Sequence, residues 1–141
     1  MSGRPSASRR TIIRGAALTP VAGLGLAACG PDGGASAPAT PTAPVDLGPE
    51  SAVAEGSATL FRDHNVVVSR AADGTLKAFS TICTHAGCPI DKLEGTTLVC
   101  PCHGSRFDAT TGKVVQSPAT VPLEQVPVRA KGGKLIAGPG A

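Results

Sequence analysis

The sequence predicts a small all-β domain preceded by a targeting segment and a tether, and three observations carry that reading. Gly and Pro number 18 and 13 in 141 residues, a composition that favours turns and short strands over helices. From about residue 51 onward, short β-branched runs alternate with turn dipeptides. No window of about eleven residues in that region keeps a helical period. A helical bundle is thereby excluded. With three Phe, no Tyr and no Trp, so is a nucleic-acid binder that stacks bases on aromatic rings.

Taken in order, residues 1–28 read as a signal peptide. Arg4, Arg9, Arg10 and Arg14 stand there without an acid, and residues 15–28 form an apolar, small-residue run interrupted by Pro20. That run is too short for a comfortable spanning helix and has the layout of an export signal. The pair Arg9-Arg10 before Thr11-Ile12-Ile13 resembles a twin-arginine signal, whose machinery exports folded proteins. Leu26-Ala27-Ala28-Cys29 resembles a bacterial lipobox, which makes Cys29 the expected lipidation site. The competing reading is an uncleaved N-terminal anchor with Cys29 as a bystander. Both readings place the chain at the outer face of the cytoplasmic membrane, and several acyl chains at Cys29 would hold it there stably. Removing residues 1–28 takes four of the 13 basic residues and none of the 10 acids, which turns a formal +3 into −1. No basic patch remains to suggest nucleic acid.

Residues 29–50, with Pro31, Pro38, Pro41, Pro44 and Pro49 among Ala, Thr, Gly and Ser, read as a tether without a core of its own. At roughly 3 Å per residue it would reach on the order of 60 Å when extended. The domain is expected at 51–141, with strands at 58–61, 66–69, 76–80, 96–99, 113–115, 121–128 and 134–137. Asp73-Gly74, Glu94-Gly95, Thr111-Gly112 and Gly132-Gly133 mark turns. Pro122 and Pro127 push the 121–128 run toward an edge or irregular strand. A domain of about 90 residues buries only about 60–65% of its unfolded surface, so a metal centre or disulfide is expected to help hold it.

Besides Cys29, four cysteines fall within residues 83–102, interleaved with two of the three histidines. They form two blocks, Cys83-Thr84-His85-Ala86-Gly87-Cys88-Pro89 and Cys100-Pro101-Cys102-His103-Gly104-Ser105-Arg106-Phe107. Each block pairs a Cys and a His at short spacing and adds one further Cys. Spacing alone permits a four-coordinate zinc through Cys83, His85, Cys100 and His103, but that site leaves Cys88, Cys102 and Gly104-Ser105 without a role. His64, beside Arg62, Asp63 and Asn65, reads as a surface histidine in a polar turn.

The two blocks resemble the cluster-binding loops of Rieske iron–sulfur proteins, with C-x-H followed by C-x-x-H. The likeness is most specific over residues 83–108 and extends in general pattern over 50–138. It implies a Rieske fold of small antiparallel sheets and one 2Fe–2S cluster. Cys83 and Cys100 would bind one iron, and His85 and His103 the other. Two neutral imidazoles in place of two thiolates raise the potential. The resemblance also implies a disulfide between Cys88 and Cys102, which suits an exported protein. It implies a hydrogen bond from Ser105 to a cluster sulfur. Phe107 stands where high-potential members carry a Tyr donor, so an intermediate potential is expected. Ser117-Pro118-Ala119 resembles the family's proline loop, with Ser117 in place of a usual Gly.

The function implied is one-electron transfer by an exported, membrane-tethered protein. Its best-known setting is the iron–sulfur subunit of a quinol–cytochrome c oxidoreductase, with quinol and cytochrome b on one side and cytochrome c on the other. A stand-alone carrier for another exported redox partner is the alternative, and a structural zinc module the non-redox one. A Rieske oxygenase needs a second iron held by two histidines and a carboxylate, and only His64 remains for it. A soluble oxygenase ferredoxin usually lacks the disulfide pair and needs no signal peptide. On this reading the chain is an electron-transfer component, an oxidoreductase only as part of a complex.

Overall fold

The structure, a computed structural model, describes residues 39–141. Residues 1–28, read as a signal peptide, the expected lipidation site Cys29 and the part of the expected tether up to residue 38 lie outside the described residues. Among those described, no helix is long and apolar enough to cross a membrane.

The described residues form eleven short strands and two single-turn 3-10 helices. The strands are β1 (Val45–Pro49), β2 (Ser57–Phe61), β3 (Val66–Arg70), β4 (Leu76–Ser80), β5 (Lys92–Glu94), β6 (Thr97–Val99), β7 (Arg106–Asp108), β8 (Val114–Gln116), β9 (Gln125–Val126), β10 (Val128–Lys131) and β11 (Lys134–Ala137). The helical turns are Glu50–Ala52 and Arg62–His64. All pairings are antiparallel and build three sheets, ordered β1-β11-β10, β2-β3-β4-β9 and β5-β6-β7-β8. The expected all-β fold of small antiparallel sheets is what the chain adopts.

β3 organises the packing. Val66, Val67 and Val68 are all fully buried, and the pleat sends alternate side chains to opposite faces. Val66 and Val68 join Leu47, Val53, Ala78, Val126, Leu135 and Ala137 in a core shared with the three-stranded sheet. Val67 joins Phe79, Ile90, Leu98, Phe107 and Leu123 in a second core, which also contains Cys83 and Cys100. The strand with apolar residues on both faces is therefore an inner strand, as a continuous apolar run implies.

The strands differ from expectation at three places. β1 lies within residues 29–50, read as tether, and pairs with β11 from Val45↔Ala137 to Pro49↔Lys134. The folded part thus begins before residue 51, because the edge of β11 and the buried Leu47 give this Pro-bearing segment a partner. The 121–128 run is split into β9 and the start of β10 at Pro127, which has no N–H to give a ladder. β5 and β7 escaped sequence detection, since each is only three residues long with charged ends.

Candidate metal centre

The β4–β5 connection, which joins two sheets, and the β6–β7 hairpin present the Cys/His blocks. β4 ends at Ser80 and leads into residues 81–91, while the β6–β7 connection carries residues 100–105. The two loops are built alike. Cys83 N–H donates to the Cys88 carbonyl at 2.8 Å, and Gly87 N–H donates back to the Cys83 carbonyl at 2.8 Å. In the second loop Cys100 N–H donates to the Ser105 carbonyl at 2.9 Å, and Gly104 N–H to the Cys100 carbonyl at 3.1 Å. Each glycine stands four residues after its cysteine with φ of +72° and +77°, a left-handed turn that glycine adopts without steric cost. The first loop is closed further by a bridge between Ile82 and Pro89.

This matched folding puts each cysteine at the base of its loop and each histidine toward solvent. Cys83 and Cys100 are 2% exposed and unoxidised, whereas His85 and His103 are exposed. The two imidazole rings meet edge to face, with centroids 4.8 Å apart and planes at 84°. Burial pushes the Cys100 thiol up, and the adjoining Cys83 thiol adds to this, while the backbone N–H groups of Cys102 and His103 aim at the sulfur and oppose the rise. A buried thiol of this kind ionises when a cation binds it.

Cys88 and Cys102 form a disulfide that joins the tips of the two loops. The sulfurs of Cys88, Cys100 and Cys102 lie within 4.8 Å of one another, but the disulfide consumes two of them and leaves only Cys100 as a ligand there. A third segment laces both loops together. Thr84 Oγ1 donates to the Val121 carbonyl at 2.6 Å, Gln116 Nε2 to the Gly104 carbonyl at 3.0 Å, and Ala119 N–H to Ser105 Oγ at 3.0 Å. Thr84 and Gln116 were not singled out from the sequence, where nothing distinguishes them from other polar loop residues. Ser105 and Phe107 are fully buried. His64 sits on the Arg62–His64 turn and lines a cavity of about 360 Å³ with Leu47, Leu60, Phe61, Arg62 and Asp63, apart from the Cys/His loops.

The donor set fits an iron–sulfur cluster with mixed ligands. It offers two buried thiols side by side and two exposed imidazoles in contact, drawn one of each from twin loops. Ser105 adds a buried hydroxyl whose oxygen takes the Ala119 N–H, while its own proton has no acceptor among the described residues. The fold and site thus define a small β domain built around a mixed cysteine–histidine redox centre.

Comparison with known proteins narrows this class. Residues 43–127 match the Rieske [2Fe-2S] domain, and the chain belongs to that family. It is 37% identical over 93 residues to the cytochrome b6-f complex iron-sulfur subunit of Chlorobaculum tepidum, covering 64% of this chain and 50% of that one. It is 42% identical over 84 residues to the cytochrome bc1 complex Rieske iron-sulfur subunit of Corynebacterium diphtheriae, covering 53% and 21%. Among solved structures it resembles the ferredoxin of carbazole 1,9a-dioxygenase from Nocardioides aromaticivorans IC177, with TM-score 0.50, 29% identity, and coverage of 70% of this chain and 99% of that one. The chain spans half or less of the length of these two curated relatives. It is a Rieske 2Fe–2S electron-transfer protein, and the cluster displaces the zinc alternative.

Proposed function

We propose that this protein is an exported, membrane-tethered electron carrier that works as the iron–sulfur subunit of a quinol-oxidising cytochrome complex, or closely like one. The observation that carries the reading is the surface around the two exposed histidines. The three segments that make it, residues 82–90, 99–105 and 116–123, contain no Asp, Glu, Lys or Arg. Val121, held by Thr84, is 58% exposed there. An uncharged, partly apolar face around a redox centre suits docking against an apolar partner near the membrane, since electrostatic steering needs charge. The segment at 1–29 supports export and anchoring. The outer face of the cytoplasmic membrane is accordingly the proposed location.

In this reading Cys83 and Cys100 hold one iron and His85 and His103 the other. The bound cluster supplies one-electron redox chemistry. Burial of Cys83 and Cys100 excludes water from the thiolate side, while the exposed imidazoles face the partner. The ring nitrogen of each histidine not engaged by metal would be open to solvent and partner, where it could take up the proton that accompanies an electron from a quinol. Ser105 accepts from Ala119 N–H, and its hydroxyl would be left to donate to the bound cluster, which would favour the reduced state.

Phe107 presents a ring without a hydroxyl beside Cys83 and Cys100 in the same core. Phe107→Tyr is expected to raise the reduction potential in an EPR-monitored redox titration. A gain near 1.4 kcal/mol, the order of a hydrogen bond to a charged group, corresponds to about 60 mV for one electron. An unchanged or lower potential removes this account of the position.

The functional test is purification of the tagged chain from detergent-solubilised membranes, followed by quinol addition. Co-purifying b-type cytochrome and quinol-driven reduction of the centre are expected. The second reading, a stand-alone carrier, draws on the ferredoxin likeness that spans 99% of that chain. Reduction by a reductase protein but not by quinol, with no cytochrome retained, decides for it.

A further inference from the structure

The first cluster loop is tied to the incoming chain. Asn65 Nδ2 donates to the Ala39 carbonyl at 3.0 Å, and Thr40 Oγ1 lies 2.7 Å from Ser80 Oγ. Asn65 and Ser80 stand at one end of the central sheet, because Val66 pairs with Ser80. From that end β4 runs directly into the loop that carries Cys83. Farther on, the segment passes close to residue 138, where a Cβ would collide with the Ala43 carbonyl oxygen. Gly138 therefore leaves room for the backbone of Ala43 and Pro44 to approach the domain closely.

These contacts continue into the loop's stem. The Asn65 carbonyl accepts Thr81 N–H at 2.8 Å, and the Thr81 carbonyl accepts Ile90 N–H at 2.8 Å. Ser80 Oγ, the partner of Thr40, also accepts Ile82 N–H at 3.2 Å. The Thr81 hydroxyl is fully buried without a partner, so main-chain bonds to Asn65 and Ile90 hold that residue. Asn65 itself has φ of +51°, the single positive value outside glycine among the described residues. Asparagine tolerates this conformation where most side chains do not, and it aims the amide and the carbonyl at two different segments.

We propose that residues 39–44 form a docked strap and that Asn65 and Ser80 are positioning residues, which transmit its placement to the loop holding Cys83 and His85. The inference rests on those two residues being cluster ligands. A load on the N-terminal side of the domain reaches the Ala39 and Thr40 bonds first, and Ser80 stands three residues from Cys83. The tether read at 29–50 thus ends against the domain by residue 39, and its end is part of the support of the redox centre.

The test uses the full chain carrying its cluster, with Thr40→Val, Asn65→Gly and the double variant. Glycine keeps the backbone conformation at position 65 and removes only the amide. Thr59→Val, which removes the Thr59 Oγ1 bond to the Ala52 carbonyl, is the control away from the loop. Strap variants are expected to release iron to a chelator about fivefold faster per hydrogen bond lost, the order that one such bond contributes. They are also expected to broaden the EPR signal of the reduced cluster and speed proteolysis within 39–44, while the control does none of these. Faster proteolysis with unchanged iron release and EPR shape overturns the positioning role and leaves a strap that is merely docked. A parent chain without equal iron and acid-labile sulfide overturns the ligand reading instead, before any strap variant is compared.

Discussion

Cys100→Ser is expected to empty the metal centre while leaving the β framework packed. Serine is close in volume to cysteine, and Cys100 is 2% exposed in the core with Phe107, Leu98 and Ile90, so the metal-free domain loses little packing. Its hydroxyl does not ionise at neutral pH as a metal-bound thiol does, so the buried side of the cluster loses half of its thiolate charge. Iron and acid-labile sulfide are expected to fall to background together, and the EPR signal of the reduced centre to vanish. Metal-binding energy counts directly as folding energy, so a loss of even ~3 kcal/mol lowers the melting midpoint of a domain this size by roughly 12–24 °C. The comparison to make is between parent and variant, each melted with and without metal. Equal metal-free midpoints and widely separated metal-loaded ones are expected. A variant that keeps the parent's iron and sulfide content would remove Cys100 from the ligand set.

How much of this was legible in the sequence depended on whether a residue's partner was near it in the chain. The Val66–Val68 run and the Leu76–Ser80 alternation declare strands by themselves, and the Cys/His spacing declares the centre, because twin short loops need those residues at those intervals. The Cys88–Cys102 pairing was implied by family likeness and is present. What stayed hidden was settled at long range. β1 looked like tether because nothing local offsets Gly48 and Pro49; only the β11 edge and the burial of Leu47 make it a strand. β5 and β7 carry Lys92, Glu94, Arg106 and Asp108 at their ends; the first three are joined by the ion pairs Lys92–Glu94 and Arg106–Glu94, while the Asp108 carboxylate accepts the Thr110 and Thr111 N–H groups. Thr84, Gln116, Asn65 and Thr40 hold the loops through bonds to residues 12 to 40 positions away, a relation no local pattern encodes.

Replacing both Cys88 and Cys102 by alanine is expected to destabilise the metal-free chain far more than the metal-loaded one. The disulfide joins the two cluster loops across a sequence separation of 14. In the chain-entropy account such a closure is worth about 3 kcal/mol, or roughly 12–24 °C for a domain of this size. That figure applies when nothing else joins the loops. With the proposed ligand set, Cys83 and His85 on one loop and Cys100 and His103 on the other would already be crosslinked through metal, leaving the unfolding chain less freedom for the disulfide to remove. Two constraints spanning the same stretch are coupled rather than additive. The bonds that join Thr84, Gly104 and Ser105 to residues 116–121 add a further, weaker link. The metal-loaded double variant is therefore expected to melt only a few degrees below the parent, roughly the 4–8 °C of ~1 kcal/mol, until iron is lost, and to lose iron faster. Melting curves of both proteins with and without metal, under oxidising conditions, measure all four corners of the cycle. Equal losses in the two states would mean that disulfide and cluster stabilise independently, and that the disulfide does more than hold two loops which the metal also holds.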